Sequence, residues 1–156
     1  MDVPRCCSAC GGLLGDERPH PVCAACGRTA FRDPKVGVGA VVHDDAGRLL
    51  LVRRGVQPGK GRWALPAGYV DADEDPRAAA AREVLEETGL VAEVGAVIDV
   101  YPGGGGASFF LAFEARLVGG ALQAGDDALD ARFFDLADLP EIAFASTRAA
   151  AGLPPE

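Results

Sequence analysis

The stretch "GYVDADEDPRAAAAREVLEETGL", residues 68 to 90, gathers three carboxylates at the end of a predicted helix. Glu83, Glu86 and Glu87 stand three and four positions apart, a spacing that places them on one helical face. Like charges at this spacing destabilise a helix by about 0.2–0.5 kcal/mol per pair, and the helix dipole disfavours negative charge in the last turn. Taken alone, the segment leaves two interpretations open: a solvated acidic face, or a site that collects carboxylates for a metal ion.

Local signals define the ends of this helix. Asp75 is a good N-cap, Pro76 suits the first helical position, and Gly89 fits a C-terminal stop. We expect the residues on the side away from the glutamates to pack inward, namely Ala78, Ala81, Val84 and Leu85.

Seven residues in and before the helix follow the spacing G-x5-E-x7-R-E-U-x-E-E-x-G-U, in which U is aliphatic. They are Gly68, Glu74, Arg82, Glu83, Glu86, Glu87 and Gly89, with Val84 and Leu90 at the aliphatic positions. This pattern resembles the full signature of the Nudix hydrolases, and the resemblance extends from about residue 35 to residue 145. One departure is Asp73, where many relatives carry Gly. Asp tolerates positive φ better than most residues, so we expect the turn to survive.

The resemblance implies a site for Mg²⁺ or Mn²⁺, which prefer the oxygen ligands found here. Such a cation would remove the repulsion, bridge diphosphate oxygens and help a water molecule to attack phosphorus. By resemblance, Ala67 adds its backbone carbonyl, Arg82 orients a glutamate and Glu74 fixes the loop. The metal-ligand and base roles would be shared among Glu83, Glu86 and Glu87.

Further candidates lie outside the signature. In this family an additional acidic ligand or base often comes from a loop before the last strand, and "GDDALDARFF" supplies three candidates, Asp126, Asp127 and Asp130. An acidic surface loop is the alternative for at least two of them. Basic side chains near the expected entrance could meet phosphates, although each alone is typical of a solvated surface: Arg53, Arg54, Lys60 and Arg62.

Aromatic residues are candidates for stacking on a base, namely Tyr101, Phe109 and Phe110. Strand neighbours face opposite ways, so at least one of the two phenylalanines is expected in the core. Trp63 is expected in the core beside the catalytic loop, and His43 at the surface.

All five cysteines fall between residues 6 and 26. Cys7-x-x-Cys10 and Cys23-x-x-Cys26 form two pairs, each followed by a glycine that permits a tight turn. Four thiolates in this arrangement favour a closed structural zinc site over disulfides or a redox dithiol, with an iron site as the remaining alternative. Cys6 is left over, and His20 is expected at the surface.

Composition limits the class of protein. A formal charge of −8 argues against broad electrostatic binding of nucleic acid, and none of the apolar runs reaches the length of a membrane span. The N-terminus lacks a secretory pattern, so we expect a cytoplasmic protein. The pattern of elements predicts an α+β fold, with a mixed sheet flanked by helices over residues 35–156, the α/β/α sandwich of Nudix proteins. A zinc ribbon over residues 1–31 precedes it, and "RDPK", 32 to 35, reads as a linker.

Four local features are also predicted. The runs flanking "DDAG" should form a hairpin, and "WALPAGYV" a short strand and a turn. "DLPEI" should form a helical turn, and "STRAAAGL", 146 to 153, a short helix capped by Ser146 or Thr147.

A zinc ribbon followed by a Nudix domain resembles two groups, the NADH diphosphatases and hydrolases of ADP-ribose or FAD. The NADH group carries a Q-P-W-P-F-P-like array shortly after the signature, where this chain reads "IDVYPGGGGASFF". We therefore favour ADP-ribose, with NADH and FAD as alternatives and nucleoside triphosphates or capped RNA as a further one. A ribbon that binds a partner on a Nudix scaffold is the non-enzymatic alternative. The resemblance also admits a homodimer.

Overall fold

The structure, a computed structural model, describes residues 5–16, 19–31, 33–103 and 108–154. The chain divides into two compact units, Met1–Pro34 and Lys35–Glu156. The predicted linker therefore overlaps the second unit at Lys35, and its first residue, Arg32, lies outside the described residues. The "GGGA" segment 104–107 between the two long strands lies outside them as well.

The first unit consists of turns joined by single antiparallel bridges, which pair Cys6 with Leu13, Leu14 with Cys23, and Val22 with Thr29. The second unit contains seven strands and two helices in its described part. Their bounds are β1 Lys35–Val42, β2 Leu49–Arg54, β3 Trp63–Ala64, β4 Ala67–Tyr69, α1 Pro76–Thr88, β5 Leu90–Pro102, β6 Ser108–Gly120, β7 Ala128–Phe134 and α2 Ala145–Ala150.

The strands form two sheets. The larger has the order β4-β1-β6-β5 and is mixed, because β1 runs parallel to β6 whereas the other pairs are antiparallel. The smaller sheet, β3-β2-β7, is antiparallel. The predicted α+β class with a mixed sheet is confirmed, and the second sheet is an addition to it.

The predicted hairpin around "DDAG" is wrong in its strand pairing. Its turn is present, because Gly47 donates its backbone N–H to the Asp44 carbonyl. Beyond the single bridge between His43 and Leu49, however, β1 and β2 separate into different sheets. Each strand finds its long partner far along the chain, β6 for β1 and β7 for β2, and a local pattern does not encode such pairings.

The core lies on both faces of β1 and β2. On one face, Val38, Ala40 and Val42 of β1 belong to clusters that include Ala79, Ala80 and Val84 of α1. On the other face, Val41, Leu49 and Leu51 share a cluster with Ala150 of α2. Sheets with one helix on each side form the expected α/β/α sandwich.

Helix α1 begins and ends where the sequence predicts. The Asp75 side chain accepts hydrogen bonds from the backbone N–H groups of Arg77 and Ala78, and Gly89 ends the helix in the left-handed conformation at φ 69°. The predicted inward face is wrong in part. Leu85 is 49% exposed and Ala78 is exposed, whereas the buried residues are Ala79, Ala80, Glu83, Val84, Glu87 and Thr88.

Two smaller predictions near the C-terminus are corrected. Segment 138–142, "DLPEI", is not helical, since Ile142 instead forms a parallel bridge with Trp63. The last helix begins at Ala145, and Phe144 occupies its N-cap position without a side-chain hydrogen bond. "WALPAGYV" contains two short strands, β3 and β4.

Candidate active site

The first unit brings four thiols to one point. The sulfur atoms of Cys7, Cys10, Cys23 and Cys26 all lie within 4.8 Å of one another. The turn after each pair uses a glycine at positive φ, Gly11 at 73° and Gly27 at 70°. A set of four converging sulfur ligands suits tetrahedral zinc, so the cluster could bind that ion.

Backbone N–H groups near two of the thiols favour the thiolate form that a metal requires. The N–H of Cys26 is the main cause that lowers the pKa of Cys23, to about 7. The N–H of Ala9 likewise lowers the pKa of Cys7. Against the Gly12 N–H, the neighbouring Cys26 and Cys23 thiols raise the pKa of Cys10 to about 12. Cys6 is exposed and stands outside the cluster, and His20 lies against the Phe31 ring at 4.8 Å between ring centroids.

In the second unit, α1 turns two of its glutamates toward the sheet. Glu83 and Glu87 are 8% and 4% exposed, whereas the Glu86 side chain is 45% exposed. Gly68 of β4 makes room for Glu83, because a Cβ atom at position 68 would overlap the Glu83 carboxylate. The first glycine of the signature is therefore required by the first glutamate of the helix.

Glu87 is held by the backbone of the strand beside it. Its Oε2 atom accepts a hydrogen bond of 2.9 Å from the N–H of Ala67. Burial raises the pKa of Glu87 to about 8 against that hydrogen bond, and the charges of Glu83 and Asp127 add to the rise. Burial also raises the pKa of Glu83, although Arg82 opposes it. The carboxylates thus lie in a place where negative charge is costly, which is where a cation would be most stabilising.

Arg82 is the cation shared by the acidic groups. Its Nε and Nη2 atoms donate to the two oxygens of Glu74 at 2.8 and 2.9 Å, while Nη1 donates to Glu83 at 2.6 Å and to Glu86 at 3.1 Å. Nη2 also donates to the Tyr69 carbonyl. The guanidinium therefore joins the helix to the loop that precedes it, as the orienting role would require.

Glu74 and Asp73 shape that loop. The Arg82 hydrogen bond is the main cause that lowers the pKa of Glu74 to about 2, and the N–H of Asp71 contributes. Asp73 has φ 65°, the left-handed conformation expected where relatives carry glycine.

The predicted acidic loop lies close enough to the glutamates to act on their pKa values. The charge of Asp127 contributes to the raised pKa of Glu87, and the charge of Asp126 contributes to that of Glu83. The loop is pinned from both sides, because Gly55 donates its N–H to the Asp127 carbonyl and Gly125 donates to the Glu87 carbonyl. Asp130 forms an ion pair with Arg132 at 2.6 Å instead.

A cavity of about 480 Å³ opens beside the glutamate helix, with Ala67 and Gly68 in its wall. Phe109 and Phe110 line it, together with Arg54 and Phe144. Phe110 lies against Gly39 of β1, where a Cβ atom would meet the ring at 2.5 Å. Phe110 is half-buried and Phe109 is 48% exposed, in line with the expectation that one of the pair would join the core.

The other residues singled out in the sequence do not line this cavity within the part of the chain that the structure describes. Arg53 is exposed and donates from Nε to the Gly61 carbonyl, and Arg62 lies 3.9 Å from Glu141. Tyr101 packs beside Phe110 at 6.5 Å between ring centroids. The remaining three behave as follows: Lys60 is exposed, Trp63 stacks edge-on against Phe134, and His43 is exposed.

Comparison with known proteins places this arrangement in a family. A family model for the NUDIX domain matches residues 33–152. The chain belongs to the Nudix family. The enzyme prediction is thereby confirmed, since the chain matches the NUDIX domain model and its relatives include proteins named as a pyrophosphatase and a phosphatase.

Relatives of this Nudix hydrolase carry related activities in their names. It is 40% identical over 118 residues to an ADP-ribose pyrophosphatase of Methanocaldococcus jannaschii, covering 73% of this chain and 69% of that one. It is 47% identical over 60 residues to the phosphatase NudJ of Escherichia coli, covering 38% of each chain.

Solved structures agree with the fold. A NUDIX hydrolase from Nitrosomonas europaea superposes with a TM-score of 0.84 at 30% identity, covering 94% of this chain and 88% of that one. The NUDIX domain of Shewanella oneidensis NrtR, solved with ADP ribose, gives a TM-score of 0.65 at 26% identity over 77% of this chain and 86% of that one.

Sequence reasoning missed several members of the cavity wall of this Nudix hydrolase, among them the aromatic residue Phe144. It follows the irregular segment that was expected to be helical, and its position depends on the bridge between Ile142 and Trp63. An isolated aromatic residue in an alanine-rich segment gives no periodic signal. None of the described helices is both long and apolar enough to cross a membrane.

Proposed function

We propose that this Nudix hydrolase cleaves the diphosphate bond of a nucleoside diphosphate linked to a second group, with ADP-ribose as the favoured substrate. The observation that carries the proposal is the 40% identity to an ADP-ribose pyrophosphatase over 118 residues, which include the whole glutamate helix region. The products would be AMP and ribose 5-phosphate.

A divalent cation, Mg²⁺ or Mn²⁺, fits the donor set of the site. The residues that would hold it are the carboxylates of Glu83, Glu86 and Glu87 and the carbonyl of Ala67. Two of these carboxylates are buried next to each other with only Arg82 as a cationic partner among the described residues, so their donor set is short of positive charge. When bound, the cation would supply charge neutralisation at the diphosphate and activation of a water molecule.

The side chains of this chain have separate tasks in the proposal. Arg82 orients Glu83 and Glu86, while the N–H of Ala67 holds Glu87. Gly68 keeps the space that the Glu83 carboxylate occupies. The adjoining cavity would take the nucleoside, because its walls are mostly apolar and aromatic.

We also propose that Cys7, Cys10, Cys23 and Cys26 hold a structural Zn²⁺. All four ligand positions would be filled by sulfur, which leaves none for water or substrate. A segment of this length has little core of its own, so the ion would supply much of its folding free energy.

A substrate panel tests the activity. The full chain is assayed with Mg²⁺ and with Mn²⁺ on ADP-ribose, NADH, FAD, dinucleoside polyphosphates, nucleoside triphosphates and capped RNA. We expect the highest kcat/KM on ADP-ribose. Preference for another dinucleotide would refute the substrate, preference for triphosphates or capped RNA would refute the substrate class, and turnover of none would refute the enzymatic proposal.

Glu86→Gln tests the assignment of the glutamates. We expect kcat to fall by about a hundredfold or more, because the variant loses a carboxylate at the reacting centre. Glu86 is 45% exposed at its side chain, so the fold should tolerate the change. Glu93→Gln on exposed β5 is the matched control and should keep wild-type kcat. Full activity of Glu86→Gln would exclude the proposed role.

A further inference from the structure

Arg54, at the end of β2, has a guanidinium group fixed at two points. Its Nε atom donates a 2.8 Å hydrogen bond to the Pro58 carbonyl, and its Cζ atom lies 5.0 Å from the centre of the Phe144 ring. Within the described part of the chain, Nη1 and Nη2 have no hydrogen-bond partner. A guanidinium stacked on a ring loses little further freedom when it binds, so its outer donors are prepared for a ligand.

The cavity gives those donors a particular kind of ligand. Arg54 is the only charged side chain among the described residues of its wall, which otherwise presents apolar, aromatic and hydroxyl groups. The diphosphate would lie at the glutamate helix, so the group in the cavity is what the diphosphate carries. Apolar and aromatic walls suit a flat ring, and a planar pair of N–H donors suits acceptor atoms on the edge of that ring.

We propose that Arg54 is a specificity-determining residue that donates hydrogen bonds to acceptor atoms of the substrate's nucleobase, and that Phe144 is the positioning residue that holds Arg54 flat. The inference rests on the proposed function, because it takes the cavity as the nucleoside site. Phe144 acts through Arg54, so the two residues should form one energetic unit.

Arg77 provides a matched control. Its Nε atom also donates to a backbone carbonyl, that of Gly95 at 3.1 Å, and its Cζ atom lies 5.7 Å from the ring centre of Phe113. Arg77 belongs to α1 and stands outside the described cavity wall. Arg77→Lys therefore removes a stacked, anchored guanidinium without touching the proposed base site.

The experiment measures dissociation constants of the full chain for AMP and for ribose 5-phosphate by calorimetry. We expect wild-type protein to bind AMP more tightly than ribose 5-phosphate. Arg54→Lys should raise the dissociation constant for AMP by about tenfold, which corresponds to the loss of one hydrogen bond to a charged donor. The dissociation constant for ribose 5-phosphate should stay within about twofold of the wild-type value. Arg77→Lys should change neither constant.

Variants of Phe144 separate positioning from direct contact. Phe144→Leu should weaken the binding of AMP as much as Arg54→Lys does, whereas Phe144→Tyr should keep the wild-type affinity. The double variant Arg54→Lys/Phe144→Leu should bind AMP no more weakly than either single variant. Additive losses in the double variant would overturn the positioning role. If Phe144→Leu does not fold, the loss of AMP affinity caused by Arg54→Lys is measured in the wild-type chain and again in Phe144→Tyr. The positioning role predicts the same loss in both, because tyrosine keeps the ring, and a different loss in Phe144→Tyr would overturn it.

Three outcomes would overturn the base contact. The first is an unchanged dissociation constant for AMP in Arg54→Lys, and the second is a wild-type chain that binds AMP no more tightly than ribose 5-phosphate. The third is an equal weakening of AMP and ribose 5-phosphate binding in Arg54→Lys, which would place Arg54 on a phosphate. Binding does not require turnover. A wild-type chain that leaves ADP-ribose intact but binds AMP in an Arg54-dependent way would refute the proposed hydrolysis of ADP-ribose, while the nucleoside site and its contact with Arg54 would stand.

Discussion

At the scale of single residues, the acidic site depends on close contacts between groups that would not ordinarily be buried. Glu83 and Glu87 are almost inaccessible, and each is held by one donor, Arg82 for the first and the Ala67 N–H for the second. Burying a carboxylate is costly unless it is hydrogen-bonded or paired. The surrounding atoms therefore leave little tolerance for added volume.

Gly68→Ala tests this tolerance. The added Cβ would overlap the Glu83 carboxylate, which must then leave its place against β4. We expect the free energy of unfolding to fall by about 1–3 kcal/mol, the usual cost of overpacking, and hydrolytic activity to fall with it. Chemical denaturation and kcat/KM are the measurements.

The control for Gly68→Ala is Gly119→Ala in β6, where an added Cβ would meet nothing within 4 Å. Equal effects of the two substitutions would show that the glycine in β4 is not specifically required by Glu83.

Glu74 makes a prediction about acid stability. Its pKa is about 2 in the folded chain against an ordinary value of 4.5, chiefly because Arg82 donates to it. A carboxyl group with a lowered pKa stabilises the folded state at pH values above its ordinary pKa. This contribution is lost as the pH falls through the pKa of the folded chain. Between about pH 4.5 and pH 2, the free energy of unfolding of the wild-type chain should therefore fall more steeply than that of Glu74→Gln.

Urea denaturation at several pH values measures this difference in slope. Glu141→Gln is the control, since the Glu141 side chain is 78% exposed and comes no closer than 3.9 Å to Arg62. Parallel curves for the wild-type chain and Glu74→Gln would contradict the assigned pKa.

At the scale of elements, α1 illustrates what a sequence encodes locally. The cap at Asp75 and the stop at Gly89 were both predicted, because each depends on a backbone conformation that particular residues favour. The inward face was predicted wrongly because hydrophobic residues were expected to be buried in preference to glutamates. The resemblance pointed to the glutamates as a site, but only the packing of α1 against β4 reveals that two of them are inside.

Asp75→Ala measures the value of the helix cap. The variant removes the acceptor for the N–H groups of Arg77 and Ala78, and we expect a loss of about 0.5–2 kcal/mol in the free energy of unfolding. Asp71→Ala in the same loop is the control. Its backbone N–H still donates to Glu74, so its stability should stay within about 0.5 kcal/mol of wild type.

The strand pairings mark the limit of local prediction. The strands themselves were predicted from β-branched and aliphatic runs, but β1 pairs with β6 and β2 with β7 across long stretches of chain. Alternation shows that a strand has a buried face and does not identify its partner. The position of Phe144 in the cavity wall is missed for the same reason.

At the scale of the whole molecule, two units with different sources of stability are joined in one chain. The second has core clusters of apolar side chains, whereas the first gathers four thiols and has single bridges in place of strands. The cysteine cluster was predictable because the spacing of two CxxC pairs, each followed by glycine, is encoded in the sequence itself.

Metal analysis of freshly purified protein should find one zinc ion per chain. Cys7→Ser should lose it, because the variant removes one of the four clustered thiols. Cys6→Ser is the neighbouring control and should retain full zinc content, since Cys6 is exposed and outside the cluster. Loss of zinc in both variants, or zinc missing from the wild-type chain, would contradict the ribbon assignment.

The parallel pairing of β1 with β6 has a consequence for the order of folding during synthesis. Lys35 pairs with Ser108 and Val42 with Ala115, so the central pair of the larger sheet cannot form until residue 115 has left the ribosome. The bridges of the first unit, in contrast, are complete by Thr29. The bridges of the first unit can therefore form on the nascent chain at a stage when β1 is still without the strand it pairs with.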